Sequence, residues 1–336
     1  MEHDEVPSSK VSPSDLGLDQ LEWGRLEDWV QLVRFPTTFT LLSGTMSAAI
    51  VAGQGWLPLS AFLPTVLASL AVYWAGMILN DVVDIEEDRL HRPKRPLAAG
   101  KISPVIAGHV GTALLMLAPI VILGVTAMHS SQPLWQGVAF LAAVLLSLCV
   151  RVYDSSLKST LLGPILMAGC RGLNILMVGC TMLAVSDIEV FPLELAYFAG
   201  GIALYICGIT VFAKSEELDA KESGNLVLGL LLQAAGLIVI ALLPRWATAA
   251  EMWYLDPLRY YPLLIGLIGM TVANRAFQAI RSPISRNVIL AVKHALLTLI
   301  LIDAAVALMW CGPWFGGVVV ALLVPALFMA ISVRST

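Results

Sequence analysis

The sequence predicts an all-α polytopic membrane protein, and two observations carry that reading: an extreme apolar composition and a regular succession of long apolar runs. Of 336 residues, 58% are hydrophobic and 13% charged, with a mean hydropathy of +0.83. An ordinary soluble domain is about 25% charged. Twenty Lys and Arg with 24 Asp and Glu cannot cover the surface of a soluble particle this large. The same numbers exclude a disordered chain, collagen, a coiled coil and a small disulfide scaffold. The runs are continuous rather than alternating at every second residue, which argues against a transmembrane β-barrel.

In chain order, residues 1–34 read as a cytoplasmic tail, and 35–336 as one transmembrane domain. Eight of the 24 acids fall in the first 28 positions, and the acidic start has no early apolar core of a cleavable leader. Within 18–35, Leu26, Trp29, Val30 and Val33 share one helical face while Glu22, Arg25 and Asp28 lie elsewhere. Such a helix either rests in the headgroup layer or extends the first span. A span needs about 20 apolar residues. Ten stretches qualify: 36–54, 58–79, 103–127, 134–151, 160–184, 192–212, 225–243, 259–280, 288–310 and 314–333. Only Cys311-Gly312-Pro313 separates the last two, so they form a tight hairpin or one broken helix, giving nine or ten spans. With the N-terminus in the cytoplasm, 17 of the 20 Lys and Arg face inward; Arg245 and Arg259 face outward and Arg171 lies within a span. That is the positive-inside pattern, and the simplest host is a bacterial inner membrane. The five cysteines are scattered and read as reduced thiols. No basic block suggests nucleic acid as a partner.

The connection after the second span carries the chemistry. It reads Asn80-Asp81-Val82-Val83-Asp84-Ile85-Glu86-Glu87-Asp88, followed by Arg92, Lys94 and Arg95. If the helix continues through it, Asp81, Asp84 and Asp88 align on one face at i, i+3 and i+7, beside Asn80. Three carboxylates on one face repel unless a cation sits among them. Oxygen-only ligands point to a hard ion, Mg²⁺ or Ca²⁺. The neighbouring cations suit a diphosphate. The plainer reading is a solvated, charge-balanced loop that anchors topology.

Asn80 to Asp88 matches N-D-x-x-D-x-x-x-D, and Arg92 to Gly100 matches R-P-x-R-P-L-x-x-G. On these residues the chain resembles the UbiA family of intramembrane prenyltransferases, over about residues 30–310. The resemblance implies a helical bundle around a central cavity open sideways to lipid. It also implies Mg²⁺ bridging the acids and a prenyl diphosphate, with an acceptor capturing the allylic cation.

Two further segments bear on the site. Tyr153-Asp154-Ser155-Ser156-Leu157-Lys158 precedes Gly163-Pro164 and Gly169-Cys170-Arg171-Gly172-Leu173-Asn174, a string that more loosely resembles the EboC-like subgroup. Lys158 opens a span, where it either snorkels or touches phosphate. Arg171 within a span requires an anionic partner, and Asn174 lies on its side. Arg171 either lines the cavity or pairs structurally with Asp303. After the sixth span the family carries D-x-x-x-D, but here the residues are Ser215 and Asp219; either Glu216 substitutes geometrically for the first acid, or the second metal site is weak or missing and Lys214 and Lys221 neutralise phosphate in its place.

The expected activity is Mg²⁺-dependent transfer from a prenyl diphosphate to a small, often aromatic, acceptor in the membrane. Asp81, Asp84, Asp88 and Asp219 hold metal, with Glu216 beside Asp219. Asn80 supports the acids, Arg92, Lys94, Arg95 and Lys158 bind diphosphate, and Arg171 and Asn174 shape the acceptor end. The rival is a non-catalytic carrier using Arg171 and Asp303 at mid-membrane. A CDP-alcohol phosphotransferase ranks below both, since its D-G-x-x-A-R run is absent.

Overall fold

The computed structural model describes residues 22–129, 132–186, 188–214, 223–246 and 254–332. A short helix α1 (Leu26–Leu32) leads into α2 (Phe35–Ala52), α3 (Leu59–Val83), α4 (Ile85–His91), α5 (Pro104–His129) and α6 (Pro133–Tyr153). A 3₁₀ turn (Ser156–Ser159) precedes α7 (Gly163–Ala184) and α8 (Leu193–Ala213). Then come α9 (Ser223–Ala241), α10 (Tyr260–Arg281), α11 (Ser285–Cys311), α12 (Pro313–Ala321) and α13 (Leu323–Ser332). Among the described residues there is no strand, and nine helices (α2, α3 and α5–α11) are long and apolar enough to cross a membrane.

The nine spans close into a ring. Each packs on the next, from α2 on α3 and α3 on α5 through to α10 on α11, and α11 returns to α2. Helix α2 also packs on α7 across the middle. It is the most enclosed span, with Ala48 to Ala52 all at 0% exposure. Helices α5, α6 and α10 present Ile120, Leu141 and Leu267 outward, as lipid-facing walls do. Small residues set the tightest contact, between α8 and α9. A Cβ on Gly208 would lie 2.5 Å from the Gly229 carbonyl oxygen, and one on Gly236 2.5 Å from that of Gly201. Without water between helices to drive association, such backbone approach supplies van der Waals contact.

Two sequence expectations change. The tenth stretch is not a continuous span. Gly312 turns the chain at φ 84, where a side chain would meet the Tyr254 ring. Helix α12 folds back onto α11, and a break at Leu322 separates it from α13, so the hairpin reading holds. The amphipathic segment is helical only over Leu26–Leu32 within its described part. Leu26 is exposed, while Leu32, Trp29 and Val33 join Ile78, Leu97, Ile102 and Ala107 in a small cluster. Asp28 pairs with Lys101 at 3.0 Å, so the segment docks on the connection that leads into α5.

Candidate active site

Helices α2, α3, α6 and α7, with α8 and α11, enclose a cavity of about 320 Å³. Ligand clefts run from roughly 300 to 1,000 Å³. Along α3 the lining passes from Asn80 through Gly76, Tyr73 and Val72 to Ser69, about 16 Å of helix at 1.5 Å per residue. Leu41, Leu146, Val150, Met167, Ile206, Leu296 and Leu299 make most of the wall apolar. Polar groups enter at Arg34, Thr37, Tyr73, Asn80, Tyr153, Asp154, Arg171 and Asn174.

Two of the three motif acids, Asp81 and Asp84, contact residues that line this cavity, and Asp88 is joined to Asp81 through Arg95. Asp81 accepts hydrogen bonds from Arg34 Nη2 at 3.0 Å and Arg95 Nη1 at 3.1 Å. The same Arg95 nitrogen donates to Asp88 Oδ2 at 2.6 Å, and Arg92 lies 3.8 Å from Asp88. Asp84 accepts from Asn80 Nδ2 at 3.1 Å and from Lys158 Nζ. Asp81 and Asp88 are buried, with side chains 5% and 4% exposed. Arg34 and Asn80 line the cavity, so Asp81 and Asp84 each stand one contact from it.

The unbroken stripe expected from the sequence is corrected here. Helix α3 ends at Val83 and α4 begins at Ile85, with Asp84 between them at ψ 4. The Asp84 N–H still reaches the Asn80 carbonyl at 3.0 Å and the Asp88 N–H reaches that of Asp84 at 2.8 Å, so the chain bends rather than stops. The bend turns Asp84 toward Lys158 on the α6–α7 connection, while Asp81 and Asp88 converge on Arg95.

Arg171 and Asn174 both line the cavity, Asn174 at 4% exposure. Arg171 donates to the Thr40 carbonyl. Gly44 separates it from Asp303: a Cβ there would sit 3.5 Å from Arg171 Nη2 and 3.6 Å from Asp303 Oδ2. Asp303 is buried, accepts from Ser43 Oγ at 2.6 Å, and leaves Oδ1 without a partner among the described residues. The two sequence alternatives for Arg171 therefore coexist: it lines the cavity and faces Asp303 across a glycine. Lys94 is exposed and does not line the cavity. Ser215, Glu216 and Asp219 lie outside the described residues.

Residue types and spacing pointed past two groups. Arg34 lines the cavity in a left-handed backbone (φ 51, ψ 52), a conformation that costs a non-glycine residue energy unless its surroundings hold it. Its ion pair with Asp81 does so; the signal available was a cation abutting Phe35-Pro36 at the start of a span. Asp154 caps the C-terminus of α6, is 2% exposed and lines the cavity. Burial, with the nearby Asp84 charge, pushes its carboxyl up to about 7, against the pull of Lys158, Arg151 and Arg34. Its signal was an acid at the mouth of a span, next to Tyr153.

Residues 41–286 match the UbiA prenyltransferase family. Over 92 residues the chain is 32% identical to a digeranylgeranylglyceryl phosphate synthase of Saccharolobus solfataricus, a stretch that is 27% of this chain and 33% of that protein. The chain thus spans about a third of that relative's length. A solved structure of a digeranylgeranylglyceryl phosphate synthase superposes with a TM-score of 0.63 at 17% identity, covering 86% of this chain and 99% of the other. A UbiA homologue from Archaeoglobus fulgidus, bound to GPP and Mg²⁺, gives 0.54 at 15% identity over 81% of this chain and 99% of that one. At these identities the two structures speak for the fold alone. Nine apolar spans, the kinked acid motif beside an apolar cavity, and a family match over more than half of its length make this integral membrane protein a member of the UbiA prenyltransferase family.

Proposed function

We propose that the protein transfers a prenyl group from a prenyl diphosphate to an acceptor held in the membrane. One observation carries the reading. At the rim of an apolar cavity, two buried acids, Asp81 and Asp88, close on a single cationic nitrogen, Arg95 Nη1. Two carboxylates that share one positive centre fit a divalent cation by donor type and by convergence. Asp81, Asp84 and Asp88 would hold Mg²⁺, with Asn80 supporting, and Glu216 and Asp219 would add the second acid pair. When bound, the ion supplies Lewis acidity to the diphosphate leaving group.

The chain's own residues do the rest. Arg95, released from the acids, joins Arg92, Lys94 and Lys158 on the diphosphate, where the guanidinium fork pairs two oxygens at once. The leucine, valine and methionine wall receives the prenyl chain and keeps water from the allylic carbon. Arg171 and Asn174 shape the acceptor end. The relatives' names suggest a glyceryl phosphate acceptor with a free hydroxyl. The carrier reading draws less support, because Asp303 is 1% exposed and held by Ser43. In this reading residues 1–34 form a cytoplasmic tail, the acid rim faces the cytoplasm, and the host is a bacterial inner membrane.

The test incubates purified protein with labelled dimethylallyl, geranyl and geranylgeranyl diphosphates, Mg²⁺ and a membrane-lipid extract. Diphosphate release coupled to a prenylated product is expected, and Asp84→Ala abolishes it. Turnover that survives Asp84→Ala removes the metal assignment. Solute counterflow without turnover supports the carrier.

A further inference from the structure

We infer that Asp154 is the proton acceptor for the hydroxyl that is prenylated, because it lines the same cavity as Asn80 and Arg34 and keeps one carboxylate oxygen, Oδ2, buried and unpartnered among the described residues. The inference rests on the prenyl-transfer reading and adds a residue and an acceptor class to it.

Its position is fixed from the backbone. Asp154 follows the last residue of α6, and its N–H bonds to the Val150 carbonyl at 3.0 Å. Tyr153 and Cys170 flank it on the lining. The cations around it have other work. Lys158 is bound to Asp84, Arg34 to Asp81, and Arg151 is exposed. A buried carboxylate oxygen without a donor is costly unless function retains it. A donor arriving with substrate removes that cost.

A hydroxylic acceptor brings such a donor. In the transfer, the bond from prenyl C1 to the diphosphate oxygen breaks, and its electron pair leaves with the diphosphate. An acceptor oxygen lone pair forms the new bond to C1, and the acceptor O–H proton passes to the Asp154 carboxylate. The carboxyl becomes neutral, the form that its burial favours. Tyr153 and Cys170 complete the titratable groups on that wall. An acceptor that reacts through an aromatic carbon gives up its proton only after the new bond forms, whereas a hydroxyl draws on Asp154 during bond formation itself.

The test uses full-length protein with Mg²⁺, geranylgeranyl diphosphate and geranylgeranylglyceryl phosphate as the hydroxyl probe. Asp154→Asn lowers kcat by about 100-fold or more, the usual contribution of a positioned base. Mg²⁺-dependent binding of geranyl thiolodiphosphate, read by calorimetry, stays within about twofold and certifies the fold. The rise of kcat/KM with pH in the parent flattens in Asp154→Asn, and Asp154→Glu restores part of the rate. If Asp154→Asn fails to bind the thiolodiphosphate, Asp154→Ser carries the same comparison. A variant that binds it and turns over at the parental rate, with the parental pH profile, overturns the role of Asp154 alone. Parent protein that binds the thiolodiphosphate but prenylates no hydroxyl overturns the transfer reading and this role together.

Discussion

The rim and the interior of this bundle handle charge in opposite ways. At the rim, Asp81, Asp84 and Asp88 meet Arg34, Arg95 and Lys158, every acid is paired, and several partners are partly exposed. Further in, Arg171 and Asp303 stand on either side of Gly44, held by the Thr40 carbonyl and the Ser43 hydroxyl, with one Asp303 oxygen unpaired. Near water an ion pair contributes little to stability and its partners exchange readily. Inside the membrane a broken pair leaves a charge with nowhere to go. The rim acids are thus held by cations that reach solvent, whereas in the interior Asp303 of α11 and Arg171 of α7 are each tied to α2, through Ser43 and the Thr40 carbonyl.

The sharpest way to break the comparison is to remove one charge from the interior. Asp303→Ala takes away the acceptor of Ser43 and the carboxylate that faces Arg171 across Gly44, and is expected to cost about 1–3 kcal/mol, read by denaturant unfolding in detergent. Adding Arg171→Met should recover most of that loss. A single variant as stable as the parent would place Arg171 among the exchangeable charges. The rim version is expected to show the reverse profile. Asp81→Ala should cut prenyl transfer by about 10²- to 10³-fold while the melting temperature moves by only a few degrees.

Asp154 sits between the two regimes, which gives a pH test. Its folded pKa of about 7 lies above the ordinary 3.8, so the ionised form penalises the fold. Stability from this group therefore rises as pH falls from above 7 toward 4. Asp154→Asn should be more stable than the parent at pH 8 by about 1–3 kcal/mol, and the gain should vanish by pH 4. Equal stability at pH 8 would mean that a donor meets Asp154 in the folded protein. A smaller effect tests exchange directly. Arg95→Gln removes the one guanidinium shared by Asp81 and Asp88, leaving Arg34 on Asp81 and Arg92 near Asp88, so Mn²⁺ binding without diphosphate should tighten by about threefold to tenfold. Weaker binding would make Arg95 a support of the acid site rather than its resident cation. The smallest effect belongs to the Asp28–Lys101 pair, where Lys101→Ala should cost no more than about 1 kcal/mol. A larger loss would show that α1 is anchored as firmly as the interior.

The spans were legible because hydropathy is local. Nine of the ten stretches became helices within a few residues of their expected ends, and the tenth failed where Gly312 and the break at Leu322 allowed a fold-back. The acid motif was legible because its residues are adjacent in sequence. Its geometry was not, since the bent chain meets Lys158, 74 residues away. Arg34 escaped notice for a related reason. A lone cation before Pro36 resembles a topological anchor until its partner, Asp81, is brought beside it.

Composition and the order of residues alone determined that this chain lives in a bilayer, which ends of its helices carry charge, and that three oxygen-bearing acids gather after the second span. Those properties are one-dimensional, because they depend on how each short segment partitions between lipid and water. Only the folded bundle decided that Arg95 bridges Asp81 and Asp88, that Asp154 lines the cavity with one oxygen buried and unpaired, and that Gly44 lets Arg171 and Asp303 approach. Each of these is a meeting of side chains or helices remote in sequence or separated by a bend. Its energy depends on distance and dielectric within the packed interior, which no local window of sequence contains.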